Sequence, residues 1–281
     1  MPDAPDPRIT PANGRVAHLS LRGLVTAERF VPGEPARLSP PLADLLDAPG
    51  GRRQRQALRG DRVLVLDRER GSAFVQLARN GYCGWLPQAA LAPDRQATHW
   101  VAAPATHLYP APDLKARETA SLSLGARVTV TGTEGRFART DAGEYLPAVH
   151  LRPIGDWATD AAAVAESLTG TPYLWGGNSR AGLDCSGLVE AAFGACGQAC
   201  PGDSDLQERG LGRALAPGDA VARGDLVFWK GHVAIALNAA QIVHANAHAM
   251  AVSAEDLAAA VARIEASGGG SVTGRRRVEA K

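Results

Sequence analysis

Three residues in the second half of the chain could together carry out nucleophilic chemistry: Cys185, His232 and His244. Cys185 stands in the run Asp184-Cys185-Ser186-Gly187, and Leu188, Ala191 and Ala192 follow at the spacing of a helix with one buried face. Asp184 precedes them where a helix N-cap belongs, so Cys185 falls in the first helical turn. There the positive end of the helix dipole and unpaired backbone N–H groups favour the thiolate, the nucleophilic form. A small buried cysteine at a helix start is the plain structural alternative. A base within reach separates the two readings. His232 and His244 flank the tight turn Asn238-Ala239-Ala240, so a hairpin would make them neighbours on one sheet face. With the Cys185 helix packed on that face, one imidazole would take and return the thiol proton and the other would orient it.

The elements that must position these residues form an α+β pattern. Residues 160–168 read as a helix, ended by Gly170-Thr171-Pro172. A glycine-loaded stretch then leads to the cysteine helix. Strand-like runs follow at 224–229, 231–237 and 241–246, then a helix at 254–264 and a last edge strand within 271–278. The first half reads differently. Residues 1–14 are a proline-rich lead segment, and residues 15–91 carry short strands at 62–66, 73–77 and 81–86, with a charged turn at 67–71. Residues 42–58 are more polar and read as a long loop with a helical turn. The pattern recurs between 101 and 151, in strands at 125–131, 137–140 and 143–147. Gly84-Trp85-Leu86-Pro87 is echoed by Glu144-Tyr145-Leu146-Pro147, each with a leucine four residues beyond the proline. This is an internal repeat of two small antiparallel barrels.

Composition removes several classes of function. At 281 residues the chain is long enough for two or three domains, and 45% hydrophobic with 21% charged residues is ordinary for a globular protein. A net charge of +1 argues against nucleic acid or an anionic membrane as partner. No apolar run approaches the roughly 20 residues that span a bilayer. The N-terminal residues lack the basic and apolar regions of a signal peptide, so the expectation is a cytoplasmic protein, as a monomer, with its cysteines Cys83, Cys185, Cys196 and Cys200 reduced. Cys196 and Cys200 lack further ligands at zinc spacing, and neither a metal nor an organic cofactor is expected.

Residues 155–281 resemble the NlpC/P60 family of papain-like cysteine peptidases. The resemblance rests on Pro172-Tyr173-Leu174-Trp175-Gly176-Gly177, Asp184-Cys185-Ser186-Gly187-Leu188-Val189, Gly224-Asp225-Leu226-Val227-Phe228, Gly231-His232-Val233-Ala234-Ile235 and Ile242-Val243-His244-Ala245, in that order. Each half of the repeat resembles the bacterial SH3 domain. Together they imply a multidomain chain, two SH3-like barrels (residues 1–98 with the lead segment, and 99–153) followed by an α+β papain-like catalytic domain (154–281). The whole is similar to the γ-D-glutamyl-L-diamino acid endopeptidases, which act on peptidoglycan-derived stem peptides. By that resemblance Cys185 is the nucleophile, His232 the general base and acid, His244 the orienting residue, and Tyr173 an oxyanion donor. Trp175, Asp184, Ser186, Asp203 and Ser204 would contact substrate. Tyr82 of the first barrel would do the same in a pocket for a free L-Ala amine, as expected in wall-fragment recycling. The run Pro201-Gly202-Asp203-Ser204-Asp205-Leu206-Gln207 resembles the family's P-R-D-x-x-x-Q element, with Gly202 in place of its arginine. Two other readings stay open at this level: an amidase or acyltransferase of the same fold, and a non-catalytic wall-binding protein.

Overall fold

Alternation of apolar and polar side chains builds the first half of the chain. Arg62–Glu69 pairs antiparallel with Ser72–Leu77, Val63 opposite Leu77 and Val65 opposite Val75, and all four are essentially buried. The computed structural model describes residues 5–216 and 218–279. The chain divides after residue 154 into two units.

In the first unit a seven-stranded antiparallel sheet runs in the spatial order Arg53–Leu58, Leu42–Leu46, Cys83–Pro87, Ser72–Leu77, Arg62–Glu69, Glu34–Leu38, Leu91–Pro93. Two expectations need correction here. Residues 42–58 are a hairpin, not a loop with a helical turn, and their polarity misleads because Arg55 and Gln56 are buried strand residues. Gln56 Nε2 donates to Asp44 Oδ1 at 3.0 Å. The charged turn is also tighter than the sequence suggests. The strand continues through Asp67–Glu69, leaving only Arg70-Gly71 as turn residues, both at positive φ as a two-residue hairpin of this type requires.

The remainder of the unit holds short strands between His99 and Pro153 around a separate apolar core of Leu108, Leu122, Val128, Ala138 and Leu146. Leu58 belongs to that second core, and Arg37 binds Asp141 at 2.8 Å, so the two cores are joined by both apolar and ionic contacts.

The second unit contains α1 (Ala161–Ser167), α2 (Cys185–Ala195), α3 (Ser204–Gly210), β1 (Leu226–Trp229), β2 (His232–Ala236), β3 (Gln241–Asn246), β4 (Ala251–Asp256), α4 (Leu257–Ala266) and β5 (Gly274–Arg277). The strands form one antiparallel sheet in the order β5-β1-β2-β3-β4, with the two-residue strand Arg213–Ala214 outside β5. The final strand is therefore not at the edge as expected. Arg277 secures it through two bonds, at 2.8 and 2.7 Å, to the buried carboxylate of Asp225 at the head of β1. The expected helix at 254–264 is corrected as well: residues 251–256 extend the sheet, and the helix begins only after Asp256, whose carboxylate caps it by accepting from the Ala259 N–H.

Both faces of the central strands β1, β2 and β3 are largely dry. Val227, Trp229, Ala234 and Ile242 pack against Ala260 and Ile264 of α4. The alternate set, Leu226, Phe228, Val233, Ile235, Val243 and Ala245, is fully buried too, and α1 and α2 also contact β2 and β3. Among the described residues no helix is long and apolar enough to cross a membrane.

Gly187 shows how closely α2 is seated. A Cβ there would stand 2.2 Å from the carbonyl oxygen of Gly177. Alanine normally gains about 1 kcal/mol over glycine in a helix, but overpacking against backbone costs about 1–3 kcal/mol, and here the clash wins. Gly187→Ala is expected to lower the thermal midpoint by several degrees, as calorimetry would show; an unchanged or raised midpoint would contradict this seating.

Candidate active site

Asp184 sets the position of the cysteine. Its Oδ1 accepts from the Gly187 N–H at 2.6 Å and from the Ser186 hydroxyl at 3.1 Å, and its Oδ2 accepts from the Gly176 N–H at 2.8 Å. One carboxylate thus caps α2 and ties it to the loop that carries Tyr173 and Trp175. Gln207 on α3 adds a second tie, its Nε2 donating to the carbonyls of Ser186 and Pro201 at 2.9 Å each. Beneath these, Asn178 Nδ2 donates to the buried Glu190 at 2.9 Å.

Cys185 is the first residue of α2, 8% exposed, with Sγ 3.9 Å from the carbonyl oxygen of Gly231. Gly231 sits at φ +76° in the turn immediately before β2, so the thiol lies at the end of the strand that His232 begins. The expectation that α2 packs on the histidine face is not met. His232 and His244 share a face with Trp229, Ala234 and Ile242, which α4 covers, and the thiol lies beside Gly231 at the strand end.

The hairpin register refines the histidine pair. Ile235 is opposite Val243 and Ala236 opposite Ile242, which places His232 diagonal to His244. Their rings are within direct hydrogen-bonding distance, His232 Nε2 to His244 Nδ1 at 2.8 Å, with centroids 5.1 Å apart. Trp229, 1% exposed, walls the pair at 5.7 Å from the His232 ring. His244 Nε2 in turn meets Glu255 Oε2 at 3.1 Å, and Arg263 grips Glu255 through Nε at 2.9 Å and Nη2 at 2.6 Å. Burial pushes both imidazoles below their ordinary pKa, helped in His232 by the neighbouring His244, while Glu255 pulls both upward. Arg263 holds the Glu255 carboxyl below the usual range. Burial raises Tyr173 to about 12, with the negative charges of Cys185 and Asp184 adding to the shift. A phenol so placed stays protonated and can donate.

Cys185 therefore lies at the end of the strand that His232 begins, His232 is bonded to His244, Tyr173 is close enough to feel the charge of Cys185, and Asp184 and Ser186 flank the cysteine in sequence. Both oxygens of the Asp184 carboxylate accept bonds from this chain. Ser186 likewise spends its hydroxyl on Asp184. Asp203 occupies the N-cap position of α3 without bonding the helix N–H groups, and Ser204 is buried behind it. Trp175 is 68% exposed and offers a broad apolar surface. Tyr82 lies in the first unit at 1% exposure, packed among Leu77, Leu86 and Ala90. Glu255 and Arg263 escape the sequence analysis because residues 254–264 read as one helix. The signal that finds them is Asp256, a helix cap in mid-pattern, which leaves Glu255 on a strand. Among the described residues no group of His, Cys, Asp and Glu is arranged to hold a metal ion.

Residues 170–264 match the model of the NlpC/P60 family, and residues 45–91 that of the bacterial dipeptidyl-peptidase SH3 domain. Dipeptidyl-peptidase 6 of Lysinibacillus sphaericus is 40% identical over 82 residues, 29% of this chain and 30% of that protein. The γ-D-glutamyl-L-lysine dipeptidyl-peptidase of Bacillus subtilis is 28% identical over 214 residues, covering 68% of this chain and 71% of that one. The crystal structure of an NlpC/P60 family protein from Bacillus cereus superposes with a TM-score of 0.74 at 23% identity, covering 87% of this chain and 99% of that one. This likeness establishes the shared fold.

Two outcomes test the site. A histidine whose folded pKa lies below its unfolded value of about 6.5 binds its proton more readily in the unfolded chain. Above that pH both states are neutral; below it the unfolded state takes up protons and stability falls. The thermal midpoint is expected to drop between pH 7 and pH 5, and to drop less in the His232→Gln, His244→Gln double variant. Equal slopes would contradict the burial of neutral imidazoles. Burial also raises Cys83 to about 12 and lifts Cys196. Brief iodoacetamide treatment at pH 6.5, read by mass spectrometry, is expected to label Cys185 first; preferential labelling of Cys196 would show that Cys185 is not activated.

Proposed function

We propose that this chain, whose residues 170–264 form an NlpC/P60 domain behind an SH3 domain at 45–91, is a cysteine peptidase that hydrolyses the γ-D-glutamyl–L-diamino acid bond of peptidoglycan stem peptides. The observation that carries this reading is the thiol at the α2 N-terminus, lying at the strand end where His232 is hydrogen-bonded to His244. The substrate class comes from the Bacillus subtilis relative, named for the γ-D-glutamyl-L-lysine bond.

In the first step the Cys185 thiol passes its proton to His232 and the sulfur attacks the γ-carbonyl carbon. The oxyanion so formed is met by the Tyr173 hydroxyl and the Cys185 backbone N–H. Collapse breaks the C–N bond, with His232 returning the proton to the departing diamino-acid amine. Water then gives its proton to His232, attacks the thioester and releases the acid and the thiol. Trp175, exposed on the loop that Asp184 anchors, supplies a surface for the stem peptide, with Asp203 and Ser204 toward the part bearing the N-terminus.

A dipeptidyl-peptidase removes two residues from a free amino end, so the preferred substrates are L-Ala-γ-D-Glu-diamino acid peptides with an unblocked amine. Residues 99–153 are read as a second SH3-like barrel preceding the catalytic domain. Specificity for short, free-ended fragments fits a cytoplasmic enzyme of wall recycling better than one cutting intact wall. The diamino acid is diaminopimelate or lysine.

Mass spectrometry of defined stem tripeptides tests the reading directly. The wild-type protein is expected to release L-Ala-γ-D-Glu from the free peptide at least tenfold faster than from its N-acetylated form, and Cys185→Ala to release none. Cleavage by the alanine variant, or at another bond, would overturn the mechanism.

A further inference from the structure

His232, His244 and Glu255 form a staircase across three adjacent strands. His232 is diagonal to His244 in the β2–β3 register, and His244, opposite Ser253, is diagonal to Glu255 in the β3–β4 register. All three side chains therefore lie on one face, and each touches the next, at 2.8 and 3.1 Å. The proton positions along this chain follow from donor and acceptor counting. An ionised carboxylate only accepts, so His244 must carry its proton on Nε2 and donate it to Glu255. A neutral His244 then has a bare Nδ1, which can only accept, so His232 must carry its proton on Nε2. That leaves Nδ1 of His232 bare, the one ring nitrogen still available to receive the thiol proton.

We propose that Glu255, held in place by Arg263, is a positioning residue that fixes the tautomers of both histidines and so presents His232 to Cys185 as a base. The inference rests on the peptidase reading above. The groups facing the chain are Cys185 beyond His232, His248 near His244, and Arg263 behind Glu255. Because burial keeps both imidazoles neutral at rest, tautomer rather than charge decides whether the base is competent. Once His232 takes the proton, the Glu255 charge also stabilises the resulting imidazolium, and Arg263 opposes it.

An amide at position 255 can donate where the carboxylate could not. In Glu255→Gln, His244 is then free to adopt the other tautomer, donate from Nδ1 to His232 Nε2, and leave His232 with its proton on Nδ1, facing the thiol. Displacing the orienting carboxylate of a serine-protease triad costs roughly ten-thousandfold in kcat; Glu255 acts one residue further away, and a loss of about tenfold to a hundredfold is expected, in kcat rather than KM. Removing the carboxylate charge should also move the acid limb of the pH profile to lower pH, since that limb reports protonation of the resting His232 base. Arg263→Gln keeps the carboxylate and removes a positive charge, so its acid limb should move to higher pH. A purely structural role would give both variants the same sign of effect, through lost stability alone.

The experiment pairs these profiles on L-Ala-γ-D-Glu-diaminopimelate with nitrogen-15 NMR of histidine-labelled wild-type protein, which reads tautomers without turnover. Both imidazoles protonated on Nε2, with opposite shifts of the limb, support the inference. A wild-type His244 protonated on Nδ1, or limbs that move together or not at all, overturns it while leaving Cys185 chemistry intact. Retained cleavage by Cys185→Ala overturns the underlying peptidase reading instead, and the NMR result then still stands or falls by itself.

Discussion

The carboxylate of Asp184 is the constraint on which the site depends. It meets two backbone N–H groups and a hydroxyl, and in doing so it ends one loop, starts one helix and fixes the angle between them. A capping residue ordinarily contributes about 1 kcal/mol to a helix. Here the cap is buried, and an unsatisfied buried donor costs a further 1–3 kcal/mol, roughly. Both N–H groups it serves are backbone, which cannot turn aside to another partner. The thiol inherits this rigidity, since Cys185 has no residue between itself and the cap. The close approach of Gly187 to Gly177 comes from the same geometry: a carboxylate short enough to reach both segments leaves no room between them for a methyl group.

The histidines are fixed by a different device, the pleat of the sheet. Side chains two residues apart on a strand share a face, so a diagonal contact repeats from strand to strand if the register is kept. The continuous antiparallel ladder of β2, β3 and β4 keeps it. α4 closes over the same face with Ala260 and Ile264, and Arg263 comes from the same helix, between them in sequence. The helix that dries the histidines therefore also brings the cation that holds Glu255. Solvation of the site and its charge are set by one packing event.

Much of this is legible in the sequence because it rests on local rules. The N-cap at Asp184, the helix after it and the hairpin around Asn238-Ala239-Ala240 are decided within a few residues of themselves, and the structure has all three. What escapes is non-local. The hairpin at 42–58 hides its pattern because Arg55 and Gln56 are polar residues inside a core, and period alone cannot announce that. Residues 251–256 are strand because β3 offers them an edge, though their alanines suit a helix equally well. Asp184 reads from sequence as a cap, but its bond back to the Gly176 N–H, eight residues earlier, is not a local signal.

The polar chain behind the thiol also grades from dry to wet. His244 is fully buried, Glu255 is 22% exposed and Arg263 26% exposed. Burying an isolated charge is far costlier than burying a neutral, hydrogen-bonded group. The arrangement places neutral imidazoles where water is absent and the ion pair where water still reaches. A carboxylate directly against His232, in place of His244, would bring full charge into the dry region beside Trp229 and Cys185. With His244 between them, the influence of Glu255 reaches the base through a hydrogen bond between neutral rings, and the formal charge stays at the margin. A histidine at position 244 can accept from one partner and donate to the next, which a carboxylate cannot do.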